Sequence, residues 1–258
     1  MRGERASMAD LFRALWAELQ KSRRRWDGVV CLLAVALIWV WAGQRPETPA
    51  QAADGYSRLL FVLPLVHAVV MPVSAAVLAS RLWDCEIRAD SFKLLYTLQS
   101  RRSLFAAKSL LGMGEMTLLT GAEFALIPVA GRVLGFTQEL EGGTLAWLGL
   151  CTWSVNGLLF FAASLLLVVS RGPVLTLCAG VAASLTGIFT AYMPLSMSYL
   201  VPWGYFLPLS SIRMDWDRVT RISTYSSRGY DLPLLAWTLA LAAGLAAACW
   251  HTIREKEV

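Results

Sequence analysis

The chain has 258 residues, of which 57% are hydrophobic and 16% charged, and its mean hydropathy is +0.54. Soluble domains carry about 25% charged residues, so the composition excludes an ordinary soluble enzyme or nucleic-acid-binding module. The net charge of +5 then reads as basic loops beside a membrane, and no RNA- or DNA-binding motif is present.

The first segment, residues 1–25, predicts a helix. Met8, Leu11, Phe12, Leu15, Trp16 and Leu19 fall at i, i+3, i+4, i+7, i+8 and i+11, which makes one apolar stripe. Ser7 with Asp10 resembles a capping box, and Arg13, Lys21 and Arg23–Arg25 supply positive charge. Such a helix lies in the headgroup layer with its stripe toward the acyl chains; packing on a soluble partner is the alternative.

Six apolar stretches follow in residues 26–258: Trp26–Gly43, Leu59–Ser80, Ser109–Gly131, Thr144–Ser170, Pro173–Met193 and Leu232–Trp250. Each approaches or exceeds the roughly 17–25 residues of a spanning helix. No stretch alternates with period two over ten residues, so a membrane barrel is excluded. The expected fold class is an all-α integral membrane protein with six transmembrane helices and an N-terminal amphipathic interfacial helix. Arg23–Arg25, the first apolar run and Ala50-Gln51-Ala52 imitate a signal peptide. The amphipathic segment ahead of them favours an uncleaved first helix.

With both termini inside, sixteen Lys/Arg fall on the inner side and seven on the outer, as the positive-inside rule requires. Leu195–Ile212 is apolar enough for a seventh crossing, which gives 18 inside and five outside. Pro202, Gly204 and Pro208 interrupt it. The expectation is therefore an outer loop, 194–231, with a re-entrant or interfacial segment placing Tyr199, Trp203 and Tyr205 at headgroup depth.

The charged island 81–108 is the most distinctive stretch. It carries Arg81, Arg88, Lys93, Arg101, Arg102 and Lys108 beside Asp84, Glu86 and Asp90, with apolar residues at helical spacing inside it. It is longer than a turn needs and reads as a docking element for a soluble partner; a basic loop resting on anionic lipid is the plainer alternative.

Catalytic signatures are missing. The chain contains no G-x-x-x-x-G-K-[ST], H-E-x-x-H or G-x-S-x-G. Its five cysteines never pair at C-x-x-C spacing, and its two histidines, His67 and His251, are remote from one another. No metal site and no disulfide are indicated. The polar residues inside the spans are the remaining candidates. Glu115 and Glu123 sit eight residues apart on the third span, about 80° apart in azimuth and about 12 Å along the axis. A mid-membrane acid costs about 2.5–3.5 kcal/mol on insertion scales and therefore faces a bundle interior, a path or a partner. Glu115, Glu123 and Asn156 are candidates for a substrate path or subunit interface. For Glu115, about 9 Å from the inner end, the alternative is reach to headgroup water; structural hydrogen bonding is the alternative for Glu123 and is favoured for His67 and Asn156. Gly131 and Gly135 give weak evidence for helix packing.

An inner interfacial helix, six spans, a long basic loop after the second and a Pro/aromatic outer loop before the last resemble an ABC-2 type transporter permease, most similar to the lantibiotic-immunity permease subunits. The local motif is Asp84 and Glu86, then Phe92-Lys93-Leu94-Leu95, then Arg101-Arg102 and Lys108. Ile87 stands where a Gly often follows the Glu, and Gln99-Ser100 where a Pro often precedes the Arg. The resemblance implies a non-catalytic permease of a bacterial cytoplasmic membrane and no cofactor in this chain. ATP and Mg would sit on a separate ABC ATPase, expected in two copies, beside a second permease chain and membrane lipid. It implies a coupling helix whose contact face is Phe92, Leu95, Tyr96 and Gln99, with Arg101 and Arg102 pairing with ATPase acids or lipid phosphate. Asp84, Glu86 and Lys108 belong to the same docking element, and Leu11, Phe12, Leu15, Trp16 and Leu19 to a connecting helix. A membrane-embedded enzyme using Glu115, Glu123 and His67, or a non-transporting anchor or sensor subunit, are the competing classes.

Overall fold

The computed structural model describes residues 8–46, 48–88, 100–218 and 223–255. The helices are α1 (Met8–Arg25), α2 (Asp27–Ala42), the short α3 (Pro49–Ala53), α4 (Gly55–Arg88), α5 (Arg101–Leu134), α6 (Gly142–Ser170), α7 (Pro173–Gly187), the one-turn α8 (Leu195–Ser198) and α9 (Leu232–Glu255). The protein is a multi-pass membrane protein built from helices. Five of them (α4, α5, α6, α9, and α7 with its extension to Ala191) are each long and apolar enough to cross a membrane. The sixth crossing is different in kind. α2 has 16 residues, about 24 Å against a hydrocarbon thickness of about 30 Å. It qualifies only together with α1, from which it is bent by 63°.

Local chemistry sets the breaks. At the α1–α2 elbow Trp26 takes a left-handed conformation (φ 58°) and leaves its ring exposed, at the level where amphipathic aromatic rings anchor helices to the interface. Gly135 ends α5 with φ 76°, the usual left-handed stop. Gly131 instead receives the Tyr56 ring: a Cβ there would lie 2.1 Å from the Tyr56 hydroxyl oxygen. The pair predicted to pack helices thus divides into one contact with α4 and one helix stop. The Ser100 hydroxyl caps α5 by accepting from the Ser103 amide. Pro64 and Pro72 lie inside α4 without ending it, because neighbouring helices stabilise a proline-containing span.

α4 and α6 form the centre, with 67% of their most apolar windows buried; the matching windows of α5, α7 and α9 are 28% buried and face outward. α4 packs on α2, α6 and α7; α5 packs on α1, α2 and α6; α9 lies against α6. The helices overrun the predicted spans. α4 continues to Arg88 and α5 already starts at Arg101, so much of the charged island is helical stem.

Among the described residues of 194–231 no helix is long and apolar enough to cross a membrane. The stretch holds α8, a 3₁₀ turn at Pro202–Gly204, and an antiparallel hairpin of β1 (Ile212–Trp216) and β2 (Ser223–Ser227) with Ile212 opposite Ser227. The aromatic segment packs inward. Tyr205, Phe206 and Leu209 are buried in the main core, and the Tyr205 hydroxyl donates to the Tyr199 carbonyl at 2.6 Å. Among the three residues expected at the interface, Tyr205 is therefore a core residue, while Tyr199 and Trp203 are half-buried. The Tyr199 hydroxyl donates to Asp231 and the Trp203 indole to Thr186.

Candidate functional site

Three features stand out, one at each level of the bundle. The first is an ion cluster at the end that holds α1, the Arg101 stem and the C-terminal helix end. Lys108 lies on α5 and is completely buried. An ammonium has three donors, and all three are used: Glu18 Oε2 at 3.0 Å, Glu86 Oε2 at 2.9 Å and the Leu82 carbonyl at 2.6 Å. The Trp83 ring centroid lies 5.3 Å from Nζ, within cation–π range. Lys21 donates to Glu18 at 2.6 Å and to Glu86 at 2.8 Å. Burial alone would push the Glu86 carboxyl up; the Lys108 and Lys21 charges and hydrogen bonds outweigh it and hold Glu86 below its ordinary value. Two side chains of α1, one of α4 and one of α5 are thereby fastened to each other.

A neighbouring node repeats the theme. Asp27 is buried and accepts from Arg25 at 3.0 Å and Arg81 at 2.7 Å, and the Ser22 hydroxyl donates to Glu115 at 2.9 Å. α1 therefore packs through Ala14, Glu18 and Lys21 and turns its stripe away: Met8, Phe12, Trp16 and Leu19 are exposed, and Leu11 and Leu15 half-buried.

The second feature is a polar pair deep in the bundle. His67 Nε2 on α4 lies 2.5 Å from Glu123 Oε1 on α5, both with no exposed side-chain surface. Glu123 is 11 residues before the end of α5, about 17 Å along the axis. The Thr152 hydroxyl is 3.5 Å from His67 Nδ1, and Asn156 donates to Thr120 at 2.9 Å. Glu123 Oε2 and Asn156 Oδ1 are buried acceptors without a protein donor. The Phe206 ring sits 5.5 Å from that of His67, so the segment 202–209 packs beside the pair. The third feature is a crevice of about 410 Å³ between α6 and α7, floored by Pro72 and Ala76 of α4 and closed at one end by Trp203.

The predicted residues distribute as follows. Glu86 and Lys108 are internal and spent on the ion cluster, so neither side chain presents itself to a docking partner. Arg101 is at the surface, its guanidinium donating to the Arg254 carbonyl at 2.7 Å, and Arg102 is exposed. Asp84 lies on the helical stem of α4. Phe92, Leu95, Tyr96 and Gln99 lie outside the described residues. Glu115 joins the α1 node, whereas Glu123 and Asn156 line the deeper polar layer. Glu18 and Asp27 are acids the sequence did not single out. Glu18 carried one readable signal, an acid at the flank of the apolar stripe and three residues before Lys21. The His67–Glu123 pairing carried none, because 56 residues separate the partners.

An N-terminal amphipathic helix, a bundle of apolar helices and a charged two-stem element at one end define a multi-pass helical membrane protein. Residues 14–201 match the family described as ABC-2 family transporter protein. The match spans most of the chain, and the protein belongs to that family: it is a permease subunit of an ABC transporter, a class that works with an ABC ATPase. No curated protein sequence matches the chain.

Proposed function

We propose that this chain is the exporter permease of a bacterial cytoplasmic membrane, with both termini cytosolic. In this reading the 81–108 element docks a separate ATPase, and ATP-driven closure of two ATPase copies moves two permease chains, identical or related. The observation that carries the reading is the buried Glu18–Lys108–Glu86–Lys21 cluster. It fastens α1 to both stems of the docking element, so displacement of the stems carries α1 and, through the Trp26 elbow, α2. The bundle interior holds the buried His67–Glu123 and Asn156–Thr120 pairs within a largely apolar core, which suits an amphipathic cargo. A lantibiotic-like peptide, exported as immunity or resistance, is the cargo that the sequence resemblance favours.

The test is purification of the tagged chain from its native membrane in mild detergent, with co-purifying proteins identified by mass spectrometry. A stoichiometric P-loop ATPase is expected. Charge reversal at Arg101 and Arg102 is expected to weaken that association. Retained ATPase binding and export in the reversed variant would remove those two residues from the docking role, and absence of any ATPase would remove the exporter reading.

A further inference from the structure

The crevice between α6 and α7 has no role in the ion cluster or the polar pair. Both of its flanking helices are long and apolar enough to cross a membrane, and its open side lies along α7, where the lining residues Ala182 and Thr186 are exposed. Its lining is apolar, mostly alanine and leucine. The only hydroxyls are those of Thr176 and Thr186, one at each end, and the Trp203 indole N–H is already spent on Thr186. Thr176 and Thr186 are ten residues apart, about 15 Å along α7. One leaflet of a bilayer's hydrocarbon is also about 15 Å thick. The volume of about 410 Å³ falls within the range of about 300–1,000 Å³ of small-molecule sites. The crevice also has a direction. Its Thr176 end is near Arg171, the left-handed stop of α6 at the basic end, and its other end is shut by Trp203.

We infer that the α6–α7 crevice seats one acyl chain of a bilayer lipid from the leaflet at the basic end, headgroup beside Arg171 and chain tip against Trp203. An empty crevice of this size would forfeit dispersion contacts along all its walls, and water would find hydrogen-bonding groups only at the two threonine ends. A flexible linear chain from the surrounding hydrocarbon matches its length, its polarity and its open side. The lipid then acts as a spacer between α6 and α7, and its withdrawal lets the two helices close on each other.

The experiment places the full chain in vesicles of phosphatidylcholine and phosphatidylglycerol that contain a phosphatidylcholine with a photoreactive diazirine in one acyl chain. After irradiation, adducts are mapped by mass spectrometry. Adducts are expected to concentrate on Ala162, Ala163, Ala182 and Ala183 over Leu32 and Leu33, which are exposed on α2. In Ala163→Trp and Ala183→Phe the crevice adducts are expected to fall to the α2 level, with α2 labelling unchanged. Wild-type protein stripped with detergent is expected to retain one lipid per chain in native mass spectrometry, a readout independent of variant folding. Equal labelling of crevice and α2, or complete loss of lipid from the stripped wild type, would overturn the inference in favour of non-specific boundary lipid. Disulfide cross-linking between copies through the exposed Cys178 of α7, with crevice adducts missing, would assign the crevice to a second copy of the chain.

Discussion

Replacing Lys108 by methionine tests whether the ion cluster is the clamp between α1 and the stems. The side chain is fully buried and holds two carboxylates, each about 2% exposed. Methionine keeps most of the volume and removes the charge. Glu18 and Glu86 then share only Lys21, whose own side chain is 37% exposed, and the Leu82 carbonyl loses its donor. Removing one partner of a buried ion pair costs about 3–5 kcal/mol, because the remaining charge is stranded, whereas replacing the whole set by apolar groups is often neutral or stabilising by about 1–4 kcal/mol. Lys108→Met is expected to lose about 3–5 kcal/mol in reversible unfolding by sodium dodecyl sulfate in mixed micelles, followed by circular dichroism. The triple variant Glu18→Leu, Glu86→Leu, Lys108→Leu is expected to recover most of that loss. As a control, Arg213→Ala breaks a pair whose partners are 71% and 55% exposed and should stay within about 0.5 kcal/mol. A loss below about 1 kcal/mol in Lys108→Met, or a triple variant no better than the single, would refute the clamp.

The same cluster predicts a pH dependence. Glu86 is held below its ordinary value near 4.5, so its contribution is complete above that value and is lost as pH falls through the lower folded-state value. Protease access to α1 should therefore rise on acidification below about pH 4.5 and stay flat between pH 6 and 8. Glu123→Leu or His67→Leu alone leaves a buried polar group unpaired. Each is expected to cost about 1–3 kcal/mol, and the double variant less than their sum; strict additivity in the unfolding assay would show that the two side chains do not interact. Gly131→Val drives a side chain into the Tyr56 ring and is expected to cost at least about 1–3 kcal/mol, with partial recovery in Gly131→Val/Tyr56→Ala. Unchanged stability of the single variant would contradict the close contact of α4 and α5 at that level.

Chain-local features were legible from composition and periodicity. Continuous apolar runs gave the spans from Leu59 onward, since a helix in lipid must satisfy its own backbone and needs no knowledge of its neighbours. The Met8–Leu19 stripe gave α1 for the same reason. Prolines and a glycine at 202–208 argued against a seventh crossing. The hairpin at Ile212–Ser227 escaped because five-residue strands are too short for a period-two search tuned to barrels. The burial of Tyr205 and Phe206 escaped because an aromatic residue reads alike at a headgroup and in a core.

Tertiary structure alone decided what the charges do. By sequence, Lys108 and Glu86 belong to a docking surface; folded, they are interior, because α1 returns across the stems and brings Glu18 and Lys21 over them. His67 and Glu123 read as separate polar residues on separate spans, and only the crossing of α4 and α5 makes them a pair. Desolvation penalises a lone buried charge heavily, so each such residue had to find a partner. Which partner it found depends on helix packing across 22 to 93 residues of chain, and no local pattern in the sequence records that.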